Sequence, residues 1–189
     1  GLGRDHVALV AGAARAAGWR TRAPVVVDWG CGGGAVAAAL APTAGEMVLV
    51  DLSDETLAEA TERVRESCDT PVRAVRTTVD ATAPAVAEVG ACDLFVCFHV
   101  LELVPTEAHG LAVLDAAAAL LRPGGLAVVQ FRYDDGAPAS RSRRRGYRRD
   151  LANMTTYTVP AFWGHAAAAG LEPRAVTLVP RSDLDERYA

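Results

Sequence analysis

Val25-Val26-Val27-Asp28-Trp29-Gly30-Cys31-Gly32-Gly33-Gly34 decides the fold. The apolar residues at its start read as a buried strand, Val25–Asp28. The glycines that follow make a tight turn, which runs directly into the Ala-rich helical stretch Ala35–Leu40. Glycine lets the backbone take positive φ and lets a ligand approach with no Cβ in the way. The helix that begins behind such a turn adds unpaired N–H donors and a partial positive charge. Asp51 closes the next apolar run, Met47–Asp51, where a carboxylate takes both hydroxyls of a ribose.

The rest of the chain repeats this alternation. Val72–Val79, Asp93–Phe98, Leu126–Tyr133 and Ala175–Val179 read as strands, several of them apolar throughout, as strands covered on both faces are. Asp54–Glu66, Ala85–Val89, Glu107–Leu121 and Pro160–Ala169 read as helices, with Arg4–Gly18 as a further helix ahead of the first strand. Ser53 is a good N-cap, followed by Asp54 and Glu55 where the helix dipole favours negative charge. Pro123-Gly124-Gly125 is expected to end the long helix and turn into the next strand. Strand–helix alternation of this kind predicts an α/β fold with a doubly wound, mostly parallel, Rossmann-like sheet. The length of 189 residues suits a single domain spanning 1–189, with 1–20 as an N-terminal helix or cap and 134–158 as an inserted connection.

Composition narrows the class. Hydrophobic residues make up 51% of the chain, which excludes a disordered tail, and no apolar run is long enough for a transmembrane helix. Cys31, Cys68, Cys92 and Cys97 are scattered, with no metal-ligand spacing, so reduced thiols in a cytoplasmic protein and no metal are expected. All nineteen basic residues are Arg, and Ala is abundant; that pattern suggests an actinobacterial source. The chain opens on Gly1 rather than Met, as a fragment does.

The glycine turn alone suits any nucleoside-containing cofactor. Gly30, Gly32 and Ala35 even satisfy the dinucleotide pattern, a weak signal by itself. Asp28, two residues before Gly30, argues against a dinucleotide: it would repel a pyrophosphate and attract an ammonium. The ligand is expected to carry a cation and a ribose and no phosphate, and S-adenosylmethionine has all three properties.

At this point the sequence resembles the class I S-adenosylmethionine-dependent methyltransferases. Asp28-Trp29-Gly30-Cys31-Gly32-Gly33-Gly34 resembles their first motif, and Leu49-Val50-Asp51, with Leu52 behind it, their ribose-binding second. Val79-Asp80-Ala81 resembles the third, whose acid reaches the adenine amino group. Cys92-Asp93-Leu94-Phe95-Val96-Cys97-Phe98-His99 resembles the fourth, beside the methionine moiety, and Leu121-Arg122-Pro123-Gly124-Gly125 the turn before the fifth strand. The resemblance covers roughly residues 24–132 and implies a cofactor site of Asp28, Gly30, Cys31, Gly32, Gly34, Asp51, Leu52, Asp80, Ala81, Phe98 and His99, with S-adenosylhomocysteine as product. The family's sheet ends in an antiparallel pair of strands. Here the chain stops at Tyr188-Ala189, where the last of them should begin, so that strand is expected to be incomplete.

His99 lies at the carboxyl end of the fourth strand, where ligands of an open α/β sheet converge, and is read as an acceptor-side base, a cofactor contact or a packing residue. Glu102, one helical turn on, is the second catalytic candidate. His6, His109 and His165 are read as structural. Arg141–Arg149 carries six Arg and no acid, whereas the rest of the chain sets thirteen Arg against 23 acids. That run reads as a solvated loop or as a flap over an anionic acceptor. A pI near 5.6 disfavours a broad nucleic-acid footprint. Tyr133, Tyr147, Arg148 and Tyr157 are the substrate-side candidates, suited to an anionic or aromatic small molecule. The expected activity is methyl transfer to O or N of such an acceptor in secondary metabolism, by a monomer or homodimer. An RNA methyltransferase and a non-methylating relative are the alternatives.

Overall fold

The computed structural model describes residues 2–138, 140–142, 155–181 and 186–188, which fall into two compact units. The first comprises Gly1–Cys97 and Ala119–Val129, the second Phe98–Ala118 and Gln130–Ala189.

The first unit holds a five-stranded sheet of β1 (Val25–Trp29), β2 (Glu46–Asp51), β3 (Val72–Arg76), β4 (Cys92–Cys97) and β5 (Leu121–Val129), in the order β3-β2-β1-β4-β5. Every pairing is parallel. Among the described residues four α-helices lie wholly within it, α1 (Leu2–Ala16), α2 (Ala35–Leu40), α3 (Asp54–Ser67) and α4 (Ala83–Val89), with a 3-10 turn over Ala41–Thr43. The apolar runs of β1, β2 and β4 are sealed: Val26, Val27, Met47–Val50 and Phe95–Cys97 are at most 1% exposed. Burying a side chain of this size contributes about 1.5–3 kcal/mol, so these three strands are the stability centre of the sheet. The order reverses between β1 and β4, and a crevice outside the carboxyl ends of such strands is where open α/β sheets bind ligands.

Local chemistry sets the boundaries. Ser53 caps α3 as expected, its hydroxyl accepting from the Thr56 N–H at 3.3 Å. Gly3 of α1 lies so close to the Ala35 carbonyl of α2 that a Cβ there would collide. Asp93 ties the sheet's amino end together: its carboxylate accepts from the Val25 N–H at 2.8 Å and pairs with Arg122 at 2.9 Å. Partial burial raises its pKa, but the Val25 N–H and Arg122 outweigh that and hold it below the usual carboxylate value.

Three expectations about strands need correction. β3 ends at Arg76, not Val79. Arg76 turns to Asp54 and the Leu52 carbonyl, and the Thr78 hydroxyl folds back onto Ala81. Pro123-Gly124-Gly125 is not simply a turn between helix and strand. α5 (Glu107–Leu120) ends first, and Leu121 already pairs with Cys92 before the register jumps to Leu126 opposite Leu94. Proline has no N–H for the ladder, and Gly124 takes φ +79°, so the chain leaves and rejoins one strand. Of Ala175–Val179, only Val179 enters a strand. Residues 175–178 are exposed and unpaired, Leu178 by 52%, because a β-prone run needs a partner to become a strand. The antiparallel pair forms later, between β6 (Val179–Arg181) and β7 (Glu186–Tyr188), and is a two-stranded sheet of its own.

The second unit contains most of α5, then α6 (Val159–Ala168) and the β6–β7 pair. Its core is aromatic. Phe131 stacks on Phe162 with centroids 3.9 Å apart, and Tyr157 meets both rings edge-on. The Tyr157 hydroxyl donates to the Leu101 carbonyl at 3.0 Å, and a Cβ on Gly110 would occupy the same space as that hydroxyl.

Candidate functional site

The glycine turn is built as its composition demands. Gly30, Gly32 and Gly34 take φ +79°, +49° and +75°, a region that side chains disfavour. Gly30 and Cys31 both donate to the Val50 carbonyl, at 2.7 and 3.1 Å, which lashes the turn to β2. The glycines do different work. A Cβ on Gly34 would run into Ala60 of α3 at 2.7 Å, and one on Gly33 would meet the Glu59 carboxylate. A Cβ on Gly32 would meet nothing within 4 Å, so its bareness serves open space rather than packing.

Asp51 ends β2 with both carboxylate oxygens engaged by backbone: Oδ2 accepts from the Gly32 N–H at 2.9 Å and Oδ1 from the Leu52 N–H at 2.7 Å. The group is thereby fixed in orientation with lone pairs to spare. Leu52 beside it is 47% exposed, an apolar surface next to a carboxylate. Asp80 and Ala81 lie on the exposed loop after β3, where the Ala81 N–H donates to the Thr78 hydroxyl.

Asp28 sits inside β1 and is only 2% exposed. Burial pushes its pKa up to about 7; the Ala37 N–H pulls it down, and the negative charge of Asp51 adds to the rise. Its Oδ2 has no hydrogen-bond partner among the described residues. A buried carboxylate with an empty acceptor calls for a cation or a donor. Cys31 is 7% exposed, and burial with Asp28 and Asp51 nearby drives its thiol far above the ordinary range, so it is a filler and not a nucleophile.

His99 lies in the second unit, two residues past the end of β4, with φ +58°. Its N–H donates to Gln130 Oε1 at 3.2 Å, and its Nδ1 lies 3.3 Å from Glu102 Oε1. The His99 side chain is 34% exposed, that of Glu102 4%. Phe98 is buried. Gln130 was not among the sequence candidates; an amide ending the apolar run Leu126–Val129 was the available signal.

The substrate-side candidates divide. Tyr133 and Tyr157 are bridged as parallel neighbours, but Tyr157 is 3% exposed and its hydroxyl is spent on Leu101, so its ring is core. Tyr147 and Arg148, with residues 143–149 of the Arg run, lie outside the described residues. The start of the insertion is built locally: the Asp134 carboxylate accepts from the Gly136 N–H and the Ser140 hydroxyl, at 2.8 and 2.7 Å. His109 bonds to Thr106 and His165 to Asp115, consistent with structural roles. No group of His, Cys, Asp and Glu suited to a metal ion occurs among the described residues.

A parallel sheet reversing at β1 and β4, with a glycine turn behind β1 and a fixed carboxylate ending β2, defines an open α/β nucleoside-binding fold of the class I methyltransferase type. The chain belongs to the methyltransferase domain family, whose model matches residues 26–125. The ubiquinone biosynthesis O-methyltransferase of Methylococcus capsulatus is 37% identical over 99 residues, covering 52% of this chain and 39% of that protein. The chain thus spans about two-fifths of the length of the curated relatives it matches. Among solved structures, a methyltransferase described as putative from Bacillus halodurans aligns with TM-score 0.73 at 18% identity, over 94% of this chain and 73% of that one. Magnesium protoporphyrin IX methyltransferase from Synechocystis, crystallised with S-adenosylhomocysteine, aligns with TM-score 0.70 at 15% identity, over 97% and 80%.

Proposed function

We propose that this protein transfers the methyl group of S-adenosylmethionine to an oxygen of a small acceptor carrying a hydroxylated ring. The observation that carries the cofactor assignment is the Asp51 carboxylate, aimed by the Gly32 and Leu52 N–H groups beside a turn whose Gly32 faces open space. The residues fit the molecule chemically. Asp51 accepts the ribose hydroxyls, Leu52 offers an apolar face to the adenine, Asp80 and Ala81 on the loop after β3 are further adenine-side contacts, and Asp28 supplies a buried acceptor for the ammonium. S-adenosylmethionine supplies, when bound, a methyl group already activated on a sulfonium.

The chain's own contribution is alignment, which is worth roughly 7–11 kcal/mol when two reactants are held in line. His99, with Glu102, takes the acceptor proton, a gain of roughly 10²–10⁴-fold where the acceptor is protonated. The names of the curated relatives support oxygen over nitrogen and a quinone precursor as acceptor class. They lend no support to secondary metabolism or to an actinobacterial source. No described helix is long and apolar enough to cross a membrane; a cytoplasmic enzyme, with these residues forming its methyltransferase domain, is our reading of the free cysteines and the family match. Calorimetric titration with S-adenosylhomocysteine, paired with product release over catechol, tests the proposal. Absence of binding overturns the cofactor assignment, and binding without transfer to any hydroxylated ring overturns the reaction.

A further inference from the structure

His99 is held from two directions, at its backbone by Gln130 and at its ring by Glu102. It is one of two non-glycine residues with positive φ among those described, the other being Ala23. A non-glycine residue in this backbone region is held there by its surroundings. Here Gln130 does so, reaching from the residue after β5 to accept the His99 backbone N–H. The second constraint is Glu102. Its side chain is almost wholly buried, yet Oε2 has no partner among the described residues, and Oε1 is spent on the imidazole. The Thr155 N–H and hydroxyl bind the Glu102 and Val104 carbonyls, at 2.9 and 2.6 Å, and so brace the turn that carries Glu102. A buried carboxylate left half-satisfied is an expense that packing alone does not explain.

Resting on the methyl-transfer reading above, we propose that Glu102 and Gln130 are positioning residues: Gln130 fixes the His99 backbone, and Glu102 sets its imidazole as the Nδ1–H tautomer, making Nε2 the basic nitrogen. The chemistry follows from the contacts. A carboxylate only accepts, so the nitrogen facing it carries the proton. The second nitrogen then holds the lone pair. The tautomer of an imidazole is set by the hydrogen bond its other nitrogen makes. In the transfer step the acceptor O–H bond breaks, its proton passes to Nε2, the oxygen's electron pair forms the new bond to the methyl carbon, and the carbon–sulfur bond releases its pair to sulfur. An acceptor already ionised, such as a carboxylate, needs none of this.

The test uses the full chain labelled with ¹⁵N in histidine, at alkaline pH where imidazoles are neutral, with the His99 signal assigned by its loss in His99→Asn. Long-range ¹H–¹⁵N spectra should show the Nδ1–H form in at least about fivefold excess, and Glu102→Gln should remove most of that excess. A dominant Nε2–H form, or a preference unmoved in Glu102→Gln, overturns the proposal. Gln130→Ala should broaden or split the His99 signal; an unchanged line removes Gln130 from the arrangement. With catechol as acceptor, Glu102→Gln should lower kcat more than tenfold while affinity for S-adenosylmethionine is kept, and equal kcat overturns the positioning role. Because the tautomer is read without cofactor, it stands apart from the cofactor assignment: loss of S-adenosylmethionine binding in the unsubstituted protein would sink that assignment and leave the tautomer result intact.

Discussion

The Gly32 N–H donates to Asp51 Oδ2 at 2.9 Å, joining the glycine turn after β1 to the acid that ends β2. Two motifs of the sequence are thus one structural unit. The carboxylate both braces the turn and is oriented by it, so disturbing either end disturbs the other.

Asp51→Ala removes two acceptors at once. Affinity for S-adenosylhomocysteine should fall by about 1–3 kcal/mol, the cost of leaving a hydroxyl pair unmatched. Calorimetry checks this, and an unchanged dissociation constant would take Asp51 out of the site.

Gly32→Ala and Gly34→Ala should fail in different ways. The Gly34 variant drives a Cβ into Ala60, so its unfolding free energy in urea should drop by about 1–3 kcal/mol, as in overpacked cores, with backbone strain added. The Gly32 variant meets no protein atom and should cost about 1 kcal/mol of backbone strain, while ligand affinity falls by much more. Equal stability losses in the two would refute this division of labour.

Asp28 links stability to pH. With its folded pKa raised from 3.8 to about 7, the native state binds the extra proton across that window. Stability of the ligand-free protein should therefore decline as pH rises from about 4 to about 7, and level off above, by up to about 4 kcal/mol from this group. Asp28→Asn should flatten that slope and stabilise the free protein at alkaline pH, while weakening the binding of S-adenosylmethionine. Urea unfolding across pH, with and without ligand, measures both; an Asp28→Asn protein with the original slope contradicts the assignment.

Thiol chemistry offers an independent check on the packing. Hydrogen bonds with the Thr70 hydroxyl and backbone and from the Ser67 hydroxyl lower the Cys68 pKa against a small burial cost, whereas burial pushes Cys92 up to about 12 and raises Cys31 as well. Mild iodoacetamide should alkylate Cys68 first, and mass spectrometry of the peptides will show it. Early modification of Cys31 would mean that the turn is open.

Much of the first unit was legible in the sequence because its signals are local. Val25–Val27, Met47–Val50 and Leu94–Cys97 are apolar runs that only a doubly covered strand uses, and each became a central strand. The glycines announced positive φ, and three of them have it. The Ser53 cap is a matter of four consecutive residues. The later chain was harder. Residues 175–178 are strand-like but have no partner strand, and pairing is decided by distant chain. Pro123-Gly124-Gly125 announces an interruption without saying whether the strand resumes, which depends on Cys92 and Leu94 across the ladder.

The same distinction holds for the site. Sequence alone determined that a glycine turn precedes a helix, that an acid ends the second strand, and that an imidazole follows the fourth, because each is a matter of residue type and spacing. Only the tertiary structure decided what these groups face. It set Asp51 against the Gly32 N–H, buried Asp28 with an unmatched oxygen, spent the Tyr157 hydroxyl on Leu101, and brought Gln130 to the backbone of His99 across 31 residues of chain. Orientation, burial and hydrogen-bond partnership are relations between distant segments, and no local pattern encodes them.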